Sequence, residues 1–307
     1  MGVKMKKILY AILGLGILTL AGCLKKKKPT LDKPSSEIKS ILPVDQTTPI
    51  TIFVHGTLPQ FLRPLISSVD LDFGFFRADE LADRKWIIGK VAWWAHQGDP
   101  EQFPLNSTYL YGWTGGLSFK ERERAAEELY LLLRDYKGPI TVIGHSHGGN
   151  VGLLLAQAAE KHNDSHFKID RLVLSATPIQ AVTAPLIGSS TFKQVYSLYS
   201  KVDMIQVGDP QKLYAATKQL NNDKVPFFSE RIVKEYYPNL IQARISTGSV
   251  GPGHMTFILP TFLHRLGSVL RLLGSVAYKA QIHNGPRHVR IIVIEGKPVQ
   301  VDKNFVD

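Results

Sequence analysis

The stretch Gly144-His145-Ser146-His147-Gly148-Gly149 constrains this chain more than any other. An apolar run, Pro139-Ile140-Thr141-Val142-Ile143, leads into it, and a helix-forming run from Asn150 to Ala159 leads out. Strand, G-x-S-x-G, helix is a layout that sets the serine on a sharp, strained turn at the carboxyl end of a buried strand. Glycines are needed there because side chains at those positions would strike the adjoining strand and helix. The helix amino terminus behind the serine turns backbone N–H groups toward a developing oxyanion. Ser146 is thus a candidate nucleophile; the plainer alternative is a serine that only caps the helix.

A serine hydroxyl is a weak nucleophile at neutral pH. It needs a base to take its proton and a third group to orient that base. In the hydrolases whose turn this stretch resembles, these follow in the order serine, acid, histidine. Downstream, the strand-like Val195-Tyr196-Ser197-Leu198-Tyr199 is followed by Ser200-Lys201-Val202-Asp203, which places Asp203 as the acid. Asp209, in Gly208-Asp209-Pro210, reads more like an ordinary turn residue. The glycine-rich Gly251-Pro252-Gly253-His254-Met255 then offers His254 as the base. The chain has 10 histidines, and only His254 combines the required order with a glycine-rich loop before a helix. His145 and His147 flank Ser146, and a tight turn should send their side chains away from it. His55 precedes a loop glycine, and His264 falls within an apolar helix.

The pair His145-x-His147 also invites a zinc reading, but it straddles a turn and lacks a nearby carboxylate, so no metal site is expected. An oxyanion needs two N–H donors. One is expected from the amide of His147. The other is expected from the loop after the first core strand, His55-Gly56-Thr57, and is assigned to Thr57.

The remaining pattern is one of short buried strands alternating with helices. Strands are expected at Pro49 to Val54, Ile87 to Trp94, Pro139 to Ile143, Ile169 to Ser175, Val195 to Tyr199, Leu240 to Ile245 and His288 to Ile294. Phe119 to Tyr136 carries Ala125, Leu129, Leu132 and Leu133 on one helical face, and Met255 to about Leu273 is apolar and largely helical. These elements predict an α/β fold, with a mostly parallel central sheet covered by helices on both faces. Residues 58–118 read as an aromatic-rich insertion, suited either to capping the site or to plain core packing.

The amino terminus reads separately. Lys4, Lys6 and Lys7 precede an apolar stretch, Ile8 to Leu20, which is too short for an ordinary membrane span. It ends in Leu20-Ala21-Gly22-Cys23, a pattern resembling a bacterial lipobox, and Cys23 is the one cysteine of the chain. The expected organisation is a signal peptide over 1–22, a lipidated tether over 23–48 and a single domain over 49–307. The net charge of +11 includes the run Lys25 to Lys28, placed to meet anionic headgroups beside the anchor. The other basic residues are scattered without aromatic interleaving, which argues against a nucleic-acid partner. The expected location is the bacterial cell envelope, lipid-anchored and extracytoplasmic. Leu24 after the cysteine resembles outer-membrane sorting.

Taken together, His55-Gly56, Gly144 to Gly149, Asp203 and His254 resemble the α/β-hydrolase superfamily, in its serine esterase and lipase branch. Trp113-Thr114-Gly115-Gly116-Leu117-Ser118 looks like a bacterial lipase-like subset of it. The resemblance implies hydrolysis of carboxylic esters through an acyl-enzyme, with no cofactor. A membrane anchor would make lipid or acylglycerol esters natural substrates. A thioesterase or serine peptidase on the same three residues is the alternative enzyme. A hydrolase-fold lipoprotein used only for binding is the alternative outside catalysis.

Overall fold

The computed structural model describes residues 42–43, 45–57, 74–81, 87–209, 229–247, 251–283, 287–302 and 305. The expectations for the signal peptide, Cys23 and most of the tether lie outside these residues. Among the described residues the strands form one nine-stranded sheet. They are β1 (Ile50–Val54), β2 (Gly74–Arg77), β3 (Thr108–Gly112), β4 (Ile140–His145), β5 (Arg171–Ser175), β6 (Val195–Tyr199), β7 (Leu240–Ser246), β8 (His288–Ile292) and β9 (Gln300–Val301). The spatial order is β2-β3-β1-β4-β5-β6-β7-β8-β9. Only β2 and β9, at the two edges, run antiparallel to their neighbours.

Every residue of β1, β3, β4 and β6 is buried, as expected of strands covered on both faces. Alternation within β1 divides them. Ile50, Ile52 and Val54 face one core, and Phe53 faces the other. The first core is closed by α3 (Phe119–Leu133) and α4 (His147–Lys161), which pack on each other through residues such as Leu129, Leu133, Val151 and Leu155. The second is closed by α2 (Ile87–Gly98) and α6 (Pro260–His283), with Ala92, Ala95, Phe262, Leu266 and Leu270 against the sheet. Each large apolar side chain so buried contributes on the order of 1.5–3 kcal/mol. Two short helices complete the set, α1 (Ala78–Leu81) and α5 (Met204–Val207). No helix among the described residues is long and apolar enough to cross a membrane.

The segment Ile87 to Trp94 is a helix, not the expected strand. Its largely apolar run, broken only by Gly89 and Lys90, gives no clear periodicity to read, but burial in the structure does: Val91, Ala92 and Ala95 are buried, with Lys90, Trp93 and Trp94 half-buried. Residues 74–118 are also not appended to the sheet. They supply β2, α1, α2 and β3, and β3 pairs directly with β1. Their aromatic residues Phe75, Phe103, Tyr109, Tyr111 and Trp113 lie in the core. The other expected strands are found within one or two residues at each end, with Val195–Tyr199 matching end to end. The last helix, by contrast, runs to His283 rather than about Leu273, after a separate 3-10 turn, and α5 and β9 lie outside the expected set.

Candidate active site

From β1 the chain crosses one face of the sheet through α2 to β3. From β4 it enters α4 on the opposite face, and β4 lies on the other side of β1. Connections that part in this way open a crevice at the carboxyl ends of the two strands. Residues 55–57 and 145–147 meet there.

Ser146 joins β4 to α4 with φ of 53°. A non-glycine residue in this region costs on the order of 1–3 kcal/mol, so its surroundings must hold it. Ser146 N donates to Ser175 O at 2.9 Å, and Ser146 O accepts from Gly149 N at 3.0 Å. The loop after β1 presses directly on the turn. A Cβ on Gly56 would lie 2.6 Å from Ser146 Cβ, and one on Gly148 would lie 2.3 Å from Val54 O. Only hydrogen at both positions allows β1 and the start of α4 to approach so closely.

His55 fixes that loop. Its ring stacks on Trp113 at 5.8 Å between centroids. Nδ1 lies 2.8 Å from Gly56 O, Nε2 accepts from Trp113 N at 3.0 Å, and Trp113 Nε1 donates to His55 O at 2.7 Å. Nε2 also lies 3.1 Å from Trp113 O, so both ring nitrogens are held by backbone groups. Thr57 follows at the edge of the crevice, with its Oγ1 buried and without a hydrogen-bond partner.

Asp203, just past β6, is 1% exposed. One carboxylate oxygen caps α5 by accepting from Gln206 N at 3.0 Å, and the other lies 2.8 Å from His254 Nδ1. Capping and pairing are thus one arrangement rather than alternatives. The carboxylate accepts the Nδ1 proton and leaves Nε2 as the basic nitrogen of the ring. His254 opens a 3-10 turn, His254–Ile258, beyond β7. His145, on the other side of Ser146, packs its ring 4.8 Å from that of His254 and donates from Nε2 to His254 O at 3.1 Å. Burial, then the neighbouring His254, pushes His145 down to about 3, so it is a neutral support for the base.

His147 turns the other way, to a buried Asp209 at 3.2 Å. The two histidines beside Ser146 therefore do not converge on a common ligand. Asp209 is no ordinary turn residue. It is 7% exposed, and hydrogen bonds from His147, Gln180 and Ser229 reach its carboxylate. Nothing in its sequence setting, Gly208-Asp209-Pro210, marks this role, because its partners come from three distant segments.

Ser146, His254 and Thr57 line one cavity of about 90 Å³. Its wall is otherwise mostly apolar, with Val91 from α2, Ile143 from β4 and Phe257, Phe262 and Leu266 from the segments after His254. The arrangement can accept a proton from a serine hydroxyl, stabilise the resulting imidazolium with a carboxylate, and hold an apolar group beside the serine. All four residues read from the sequence as catalytic or oxyanion-binding within the crevice, Ser146, His254, Thr57 and the turn residue His147, lie at the carboxyl edge of the sheet, with Asp203 behind His254. Compared with known proteins, the chain matches no family model and no curated sequence.

Proposed function

We propose that this protein is a serine ester hydrolase with an α/β-hydrolase fold, acting on carboxylic esters with an alkyl acyl group. The observation that carries the reading is the His254–Asp203 pair sharing one apolar cavity with a strained serine. The parallel sheet and the crevice between β1 and β4 support the fold assignment.

In this mechanism His254 Nε2 takes the Ser146 proton as Oγ attacks the ester carbonyl. The amides of His147 and Thr57 hold the oxyanion. Collapse of the tetrahedral intermediate breaks the bond to the alcohol oxygen, and the alcohol leaves with the proton from His254. Water, deprotonated by His254, then releases the acid and restores the serine. Asp203 keeps the imidazole in the productive tautomer throughout. The mostly apolar wall of the cavity, with Val91, Ile143, Phe257, Phe262 and Leu266, suits an alkyl acyl chain. The lipobox at Cys23 adds a proposed tether to the cell envelope, bringing the site near membrane-borne esters.

Ser146→Ala assayed on p-nitrophenyl butyrate tests the reading. Turnover is expected to fall by more than about 10³-fold, and turnover at the wild-type rate overturns it. Incorporation of labelled palmitate into the wild type but not into Cys23→Ser tests the anchor.

A further inference from the structure

The turn that carries Ser146 holds a second buried histidine–carboxylate pair, which the proposed reaction does not use. His147 is the residue directly after the serine and the first of α4. Both its ring nitrogens are engaged. Nε2 lies 3.2 Å from Asp209 Oδ1, and Nδ1 lies 3.2 Å from Asn150 Nδ2. Asn150 is itself oriented, donating from Nδ2 to Pro178 O at 3.0 Å and accepting at Oδ1 from Thr183 at 2.7 Å. Its amide nitrogen is therefore the donor toward Nδ1, so the His147 proton is on Nε2 and is donated to Asp209.

The Asp209 carboxylate is supplied from every side. Gln180 Nε2 donates to Oδ2 at 3.0 Å and Ser229 Oγ at 3.1 Å. Gln180 Oε1 accepts in turn from Arg122 Nη2 at 3.0 Å, and Arg122 is fully buried. A buried carboxylate costs several kcal/mol unless hydrogen-bonded and charge-compensated, and apolar side chains of similar size would pack as well or better. Yet five buried polar side chains from separate segments converge here, on the residue next to the strained serine.

The strain at Ser146 makes this placement meaningful. A backbone held at φ of 53° relaxes unless the residues on both sides are fixed. Gly56 and the Ser175 carbonyl restrain the serine itself. The ring of His147, gripped at both nitrogens, restrains the residue that follows and the amide it turns toward the crevice.

We propose that His147 and Asp209 form a positioning pair that holds the His147 amide and the Ser146 turn in the geometry needed for nucleophilic attack. This rests on Ser146 being the nucleophile. The two side chains touch neither substrate nor base, and they act through the His147 backbone, whose amide faces the oxyanion. Asn at 209 cannot serve in its place. Whichever way its amide faces, it presents N–H either to the His147 donor or to the Gln180 amide donor, whose orientation Arg122 fixes.

The test uses the full-length chain in detergent, with two readouts: the rate of Ser146 labelling by a fluorophosphonate, and kcat and KM on p-nitrophenyl butyrate across pH. Asp209→Asn and His147→Leu should each slow labelling and kcat by about 10²-fold, the cost of displacing a reacting group by roughly 1 Å. KM and the midpoint of the pH profile should stay unchanged, because His254 keeps Asp203. His147→Gln should stay within a factor of about three of wild type, since its amide nitrogen takes the place of Nε2 as donor to Asp209. A loss explained by a lowered Tm alone would move His147→Gln as far as His147→Leu, and that result overturns the proposal. So does labelling of Asp209→Asn and His147→Leu at the wild-type rate. Wild-type protein that neither labels nor turns over removes the hydrolase reading and this proposal together, and is thereby distinguished from a failure of the pair alone.

Discussion

Asp203 serves His254 and the backbone of α5 at once, one carboxylate oxygen to each. This division of labour makes Asp203→Asn an informative substitution. Asparagine caps helices about as well as aspartate, so folding stability should change by less than about 1 kcal/mol. Its amide N–H, however, faces Nδ1 and selects the tautomer whose proton sits on Nε2. The expected result is a fall in kcat of about 10⁴-fold with a Tm near wild type. Calorimetry and steady-state kinetics on a p-nitrophenyl ester read the two effects separately, and retained turnover would remove Asp203 from the mechanism.

Gly56→Ala probes the contact between the loop after β1 and the serine. The added methyl would lie 2.6 Å from Ser146 Cβ and 3.0 Å from His145 O, both on backbone-borne atoms that cannot swing aside. Overpacking of this kind costs about 1–3 kcal/mol. The shift falls on the reacting group itself, so kcat should drop by about 10²-fold. A Tm scan and kcat measured on the same preparation check both, and an unchanged kcat contradicts the close approach.

Acid should destabilise the fold before its carboxylates titrate. Burial holds both His145 and His147 below the ordinary value of 6.5, His145 down to about 3. Below pH 6.5 the unfolded chain therefore binds protons that the folded chain refuses. Stability is fully present above that pH and falls as pH drops, by up to about 1.4 kcal/mol per unit for each such imidazole. Asp209 acts in the same direction. Burial raises it, but hydrogen bonds and charge from His147, Gln180 and Arg122 outweigh that and leave it lowered from 3.8, so its contribution fades at still lower pH. Urea midpoints between pH 7 and pH 4 measure the slope, and His145→Gln should flatten it.

Val91, on α2, lies in the apolar wall of the cavity. Val91→Phe fills space that an acyl chain would use. The expected effect is a loss of kcat/KM on butyryl and hexanoyl esters of about 10-fold or more relative to the acetyl ester, the scale of one or two methylenes in an apolar pocket. Equal losses on all chain lengths would place the acyl group elsewhere.

The candidate residues were legible because each sits at a local signal, a strand end, a glycine-rich loop or a helix start, and the resemblance supplied their order. Ser146, Asp203 and His254 each announce themselves within a few residues. The second pair was not legible. His147 is visible only as a neighbour of the serine, and Asp209 gains its meaning from Gln180, Ser229 and Arg122, which the fold brings together across long stretches of chain. The same applies to residues 87–98. Their apolar run, rich in β-branched and aromatic side chains, is locally as suited to a buried strand as to a helix, and the packing of α2 against α6 decides between them. The strand β3 was missed because Tyr109, Tyr111 and the glycines after them look like a loop until Phe75 stacks on Tyr109 and β1 pairs alongside.

The parallel order of the sheet has a consequence for how the molecule comes into being. Ser146 leaves β4, Asp203 follows β6, and His254 follows β7, with Asp203 and His254 separated by 51 positions. No helix or hairpin contains two of them. Each long crossover must close before the next strand is in register, and such closures are the slow events of folding. On the proposed mechanism, a nascent chain with its helices formed and its sheet unfinished would be inert at Ser146. Recovered turnover in a refolding experiment would therefore mark completion of the sheet from β4 through β7, rather than the earlier gain of secondary structure.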